Sequence, residues 1–139
     1  MKTIYLCGGI NNLSDAECKD WRESVKEQLA GKYDFLDPMR RDYRGREAES
    51  VDEIVELDKE DIQNSDIVLV NACKPSWGTA MEIMYAWDLT YIDLDKLPVT
   101  AKFPDIYIVC DSTKPSPWLI YHADKMFKSF EEAIESLKN

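Results

Sequence analysis

Ser65-Asp66-Ile67-Val68-Leu69-Val70-Asn71, followed by Lys74-Pro75-Ser76-Trp77-Gly78-Thr79-Ala80-Met81-Glu82-Ile83-Met84-Tyr85-Ala86-Trp87, is the stretch whose reading decides the fold. Ile67 to Val70 is an apolar run of strand length, opened by polar residues. After Gly78 the residues become helix formers: Ala80, Met81, Glu82, Met84 and Ala86. The reading is strand, polar loop, helix. In open parallel α/β sheets, ligands bind outside the carboxyl ends of strands, beside such loops. Glu82 is expected in the first helical turn, pointing towards that crevice.

Two readings of Glu82 stay open at this level. Thr79-x-x-Glu82 has the spacing of a capping box, in which the carboxylate only closes a helix end. Glu82 also shares a helix face with Tyr85, Ala86 and Leu89. A carboxylate bordered by apolar groups is costly to desolvate without a partner or a task, which makes Glu82 a candidate nucleophile or acid/base.

The flanking chain repeats the strand–helix alternation. Thr3-Ile4-Tyr5-Leu6-Cys7 reads as a buried first strand ending in Gly8-Gly9, where glycines permit positive φ or close approach to a ligand. Ser14-x-x-Glu17 opens a helix with Cys18, Trp21, Val25 and Leu29 on its core face, closed by Gly31. Tyr33 to Leu36 is a second strand, stopped by Asp37-Pro38, and residues 39–46 form a long polar loop. Ser50-x-x-Glu53 starts a helix with Val51, Ile54, Val55 and Ile62 as its apolar face. Asp58 falls within that stripe, where an acid is unusual. It reads either as a partly exposed edge residue or as a second catalytic carboxylate.

Residues 91–102 are irregular, Asp105 to Cys110 is a strand, and 112–117 is turn-rich. Trp118 to Tyr121 is expected to pack against the body or a neighbouring subunit. Met126 to Lys128 is a possible edge strand, and Ser129-x-x-Glu132 caps a last helix bearing Phe130, Ala133, Ile134 and Leu137. The alternation predicts one domain over 1–139: a three-layer α/β, flavodoxin-like arrangement with a mainly parallel five-stranded sheet.

Composition narrows the function. The formal charge of −10 argues against a nucleic-acid surface, which needs a basic face. Arg40, Arg41, Arg44 and Arg46 form the one basic cluster, able to meet a phosphate or carboxylate or simply to sit solvated beside Glu47 and Glu49. The apolar runs are too short to span a membrane. The first strand begins at once, leaving no room for a signal peptide and pointing to the cytoplasm. Cys7, Cys18, Cys73 and Cys110 form no C-x-x-C pair and His122 is the only histidine, so no metal site and no Ser-His-Asp triad is expected. Carboxylates remain as the main catalytic resource. One acid ionised to attack and one able to handle a proton is the pairing that glycosyl transfer needs.

Ile4-Tyr5-Leu6-Cys7-Gly8-Gly9-Ile10 resembles the opening strand and glycine turn of the nucleoside 2-deoxyribosyltransferase superfamily. Asp58 with Asp66-Ile67-Val68-Leu69-Val70 resembles that family's acid-bearing helix and central strand. Ser76-x-Gly78-Thr79-x-x-Glu82-Ile83 is similar to its nucleophile motif, and Asp37-Pro38-Met39-Arg40 to its smaller members. The resemblance covers residues 2 to about 90 well and the last third loosely. It implies that Glu82 attacks the anomeric carbon to form a covalent glycosyl-enzyme, with the Tyr5 hydroxyl beside it and Asp58 handling the departing base. Gly8, Gly9 and Gly78 would line the substrate site, while Trp77 reads either as a stacking face for the base or as a plain core or interface residue.

Deoxyribosyltransferases proper carry an aspartate where this chain has Ser76. A serine there resembles the 2-deoxynucleoside 5-phosphate N-hydrolases, in which it belongs to the phosphate pocket. Ser116 would match a second phosphate-contacting serine, supplied by the neighbouring subunit. The hydrolases' serine and arginine of the glycine turn are replaced here by Gly9 and Asn11, a charge that Arg40 or Arg41 would supply. The implied ligand is a nucleoside or nucleotide, with no cofactor, and the implied assembly a homodimer or higher homo-oligomer. The rivals are a non-catalytic nucleotide-binding or nucleotide-sequestering module, which needs no nucleophile, and a flavin carrier, for which no Ser/Thr-rich phosphate loop follows the first strand.

Overall fold

The computed structural model describes residues 1–92 and 94–139. Five strands, β1 (Lys2–Gly8), β2 (Tyr33–Leu36), β3 (Ile67–Asn71), β4 (Asp105–Val109) and β5 (Lys125–Phe127), alternate with helices α1 (Asp15–Gln28), α2 (Val51–Gln63), α3 (Trp77–Asp88), α4 (Pro117–His122) and α5 (Phe130–Lys138). The sheet order is β2-β1-β3-β4-β5, and every pairing is parallel. This is the expected flavodoxin-like topology. Between α3 and β4 lie 3-10 turns at Leu89–Tyr91 and Leu94–Lys96, the second within the irregular segment expected over 91–102, of which residue 93 lies outside the described residues.

Strand alternation splits the core into two faces. Ile4 and Leu6 of β1 pack with Ile67 and Leu69 of β3 against Val25 and Leu29, from α1 and its end, and Ala133, Ile134 and Leu137 of α5. Tyr5 and Cys7 point the other way, with Val68 and Val70, against Ile62 of α2 and Ile83 and Ala86 of α3. One polar group crosses the first face. Arg22 of α1 is fully buried and donates to the carbonyls of Leu6, Gly8 and Cys18 at 3.3, 3.0 and 2.5 Å.

Local sequence accounts for the helix starts with two exceptions. Ser14 and Glu17 form the reciprocal capping box of α1, and the Ser129 hydroxyl caps α5. Ser50 makes no side-chain cap, because a 3-10 turn at Glu47–Glu49 runs straight into α2. The cap of α3 is Ser76, whose hydroxyl accepts from Thr79 N, so the helix begins earlier than a Thr79 cap would place it. Glu82 therefore stands in the second turn, not the first. The capping-box reading of Glu82 falls with that shift.

Because the chain moves from β1 out to β2 and then back across to β3, the loops after β1 and β3 leave in opposite directions. The crevice of an open α/β sheet opens at such a switch point. Here it lies beyond Gly8 and Asn71, the last register pair of β1 and β3.

Candidate active site

Tyr5 and Glu82 meet in that crevice. The buried Tyr5 hydroxyl donates to Glu82 Oε2 at 2.6 Å. Burial and the neighbouring Glu82 charge hold the phenol well above its ordinary range, so it stays protonated and donates. Glu82 is half-buried at the head of the cleft. Its carboxyl is pushed up to about 7, chiefly by burial and then by the charge of Asp58; Tyr5, the Cys7 thiol and Arg22 pull the other way. A carboxyl so raised titrates in the physiological range, where general acids and bases work, and it attacks as a nucleophile only once ionised.

Asp58 lines the same cleft from α2. Burial raises its carboxyl, while Arg41, whose Nη2 lies 3.2 Å from Asp58 Oδ1, lowers it and Asp61 raises it. Two carboxyls with unequal surroundings thus share one cleft of about 290 Å³. Opposite them the wall is apolar. Val51 and Val55, read from the sequence as core, are exposed and line the cleft with Ile54, so only Ile62 of the expected stripe is fully buried. The reason is geometric: the first half of α2 overhangs the crevice instead of the sheet.

The glycines act through space, not through backbone freedom. Neither Gly8 nor Gly9 has positive φ. A Cβ on Gly8 would lie 2.7 Å from the Trp21 ring, and one on Gly9 would lie 3.0 Å from Leu13. Gly8 and Gly78 line the cleft with Ser76. Gly9 faces a second crevice on the far side of the β1 loop. A Cβ on Gly78 would stand 3.7 Å from Glu82 Oε1, an ordinary contact.

Other expected residues lie elsewhere. Arg40 turns away from the cleft wall, its guanidinium forked onto Asp61 at 2.8 and 2.8 Å, whereas Arg41 and Arg44 line the cleft. Trp77 is 87% exposed and borders the two neighbouring crevices. Ser116 caps α4 and lines a groove between α3 and α4, with Trp118. The structure therefore brings together Tyr5, Gly8, Asp58, Ser76, Gly78 and Glu82, and leaves Gly9, Arg40, Trp77 and Ser116 outside that cluster.

Sequence reasoning passed over Cys7 and Asp61. Cys7 is two residues from Tyr5, and strand alternation alone sends both to Glu82. Asp61 follows Asp58 by one helical turn, the spacing of a shared face. Thr79 Oγ1 is buried against the cleft and has no hydrogen-bond partner among the described residues. No cluster of metal-ligating side chains and no helix long and apolar enough to cross a membrane occurs among them either.

No family model and no curated protein matches the sequence. Solved structures do match. A 2-deoxyribosyltransferase from Bacillus psychrosaccharolyticus superposes with a TM-score of 0.68 at 15% identity, covering 97% of this chain and 95% of its own. A 2-desoxiribosyltransferase from Leishmania mexicana gives 0.69 at 18%, covering 100% and 99%. The CMP N-glycosidase BcmB from Clostridium botulinum gives 0.62 at 16%, covering 99% and 98%. The chain thus shares, essentially from end to end, the α/β fold of 2-deoxyribosyltransferases and a CMP N-glycosidase.

Proposed function

We propose that this chain is an enzyme of the nucleoside 2-deoxyribosyltransferase superfamily that cleaves the N-glycosidic bond of a 2-deoxynucleoside or its 5-monophosphate. The observation that carries the reading is the short Tyr5–Glu82 hydrogen bond at the head of a cleft shared with Asp58. Glu82 attacks the anomeric carbon as the bond to the base breaks, forming a glycosyl ester. Asp58 gives its proton to the departing base. Water, or a second base, then displaces Glu82 from the sugar, and the double displacement retains configuration. Tyr5 orients the attacking carboxylate, and the apolar wall of Val51, Ile54 and Val55 offers a face against which a base can lie.

Glu82 and Asp58 are close enough to influence each other's ionisation, so their two protons leave in steps that belong to the pair. The reactive form has Glu82 ionised and the remaining proton on Asp58. Activity then rises with pH as Glu82 ionises, an acid limb near 7, and falls where Asp58 loses its proton. Hydrolysis of a monophosphate is the outcome favoured by Ser76, which stands on the cleft where deoxyribosyltransferases proper have an aspartate. A homodimer is proposed with it. The exposed Trp77, Trp118 and Tyr121 supply an apolar surface for a second copy.

The test is incubation with deoxynucleosides and their 5-monophosphates, with and without a different free base, followed by chromatography. Free base released without an acceptor, mainly from monophosphates, supports the N-hydrolase. A new nucleoside formed only with the acceptor makes it a transferase and removes the phosphate role of Ser76. No product from any substrate leaves a nucleotide-binding module.

A further inference from the structure

Asp58 and Asp61 stand three residues apart on α2, and the loop after β2 lays two consecutive arginines across them. Asp61 is buried. Its carboxylate accepts both Nη atoms of Arg40 at 2.8 and 2.8 Å and Arg41 Nη2 at 2.8 Å. Arg40 is further tied by Nη1 to the Asp37 carbonyl at 2.9 Å. The same Nη2 of Arg41 lies 3.2 Å from Asp58 Oδ1. One nitrogen is thus divided between two carboxylates, with the shorter contact to Asp61.

Charge-assisted bonds of this kind are strong, and an arginine offered one carboxylate alone would engage it fully. A fully engaged Asp58 would be held ionised and would have no proton for a leaving group. We propose that Asp61 is a positioning residue whose clamp on Arg40 and Arg41 draws Arg41 off Asp58 and fixes the cleft wall opposite Glu82. This rests on the proposed role of Asp58 as the proton donor. The groups facing Asp58 are Tyr5 and Cys7 of β1, Glu82 of α3, Arg40 and Arg41 of the loop, and Asp61 of its own helix. Of these, Arg41 is the cation in contact with Asp58 and Asp61 is the anion competing for it.

The clamp makes two predictions of opposite sign. Asp61→Asn releases Arg41 to Asp58, so Asp58 titrates lower and the alkaline limb of the kcat profile moves down with it. Asp61→Glu restores both. Arg40→Gln leaves Asp61 to Arg41 alone, weakens the hold on Asp58 and moves its titration up. Carbon NMR of aspartate-labelled full-length protein reads Asp58 directly, with Asp58→Asn assigning the resonance. Titrations that do not move in Asp61→Asn and Arg40→Gln, or that move in one direction for both, overturn the clamp. Should Asp61→Asn fail to fold, Arg40→Gln still decides. A titration that moves as expected in a protein without N-glycosidic turnover retains the clamp and removes the proposed function instead.

Discussion

Arg22 and Arg41 are both arginines set against aspartates near the carboxyl edge of the sheet, yet their surroundings differ in kind. Arg22 is fully buried, 3.6 Å from Asp37, and most of its donors go to backbone carbonyls of β1 and α1. Asp37 is shared with Lys26 at 2.9 Å. The Leu6 and Gly8 carbonyls that take Arg22 cannot move without unfolding β1. Arg41 is 18% exposed on the cleft wall, and its partners are two side-chain carboxylates competing for one nitrogen. An ion cluster closed by backbone is a staple. One shared between side chains at an open cleft can be re-partitioned by a substrate or a proton.

The contrast can be broken most directly through Glu82, the acid served by the open cluster. Glu82→Gln should reduce turnover by about four orders of magnitude, as removal of a nucleophile does, while the fold survives. Stability should move the other way. Folded Glu82 keeps its proton up to about pH 7, whereas an unfolded glutamate loses it near ~4.3. Folding therefore loses stability as pH rises between those values. Glutamine does not titrate, so at pH 8 the variant should gain on the order of 3 kcal/mol over wild type relative to pH 4, read by denaturant melts at each pH. Equal turnover would sink the mechanism.

Arg22→Met sharpens the other side. It leaves three carbonyls without this donor in a dry interior and Asp37 with Lys26 as its remaining cation, and should destabilise by about 3–5 kcal/mol. Because the Arg22 charge also holds the Glu82 carboxyl down, the limb that Glu82 sets should move up in whatever remains folded. An unshifted profile would mean that the staple is electrostatically separate from the cleft. Tyr5→Phe comes next, at about 30-fold in kcat from loss of one donor to the attacking carboxylate. Removing a bond that holds the Glu82 carboxyl down should also carry the acid limb upward. Thr79→Val is the smallest. It replaces a buried hydroxyl that has no partner with an isosteric methyl, and should change stability by less than about 1 kcal/mol, in the stabilising direction. A clear loss of activity in that variant would show that substrate uses the hydroxyl.

Much of the fold was legible because periodicity reports burial. The alternation of Ile4, Tyr5, Leu6 and Cys7 and the apolar run from Ile67 to Val70 mark doubly covered strands, and Ser14-x-x-Glu17 marks a helix start by local chemistry alone. Tyr5, Asp58 and Glu82 could be picked out because family resemblance and the oddity of acids among apolar neighbours pointed the same way. Legibility failed where two local solutions competed. Ser76 and Thr79 are both good caps, and the loop after β3 decided in favour of the earlier one. Val51 and Val55 have helical core spacing, but periodicity cannot tell a core from a cleft wall.

Residue order therefore determined the strand and helix pattern, the parallel class of the sheet and the acids worth watching, all consequences of short-range periodicity and capping. Only the tertiary structure decided that the Tyr5 hydroxyl reaches Glu82 across 77 positions of sequence, that Arg41 and not Arg40 faces the cleft, and that Asp61 competes with Asp58 for it. Those are contacts between distant segments. Their geometry is set by how α2, α3 and the β1 turn pack around the switch point, which no local pattern encodes.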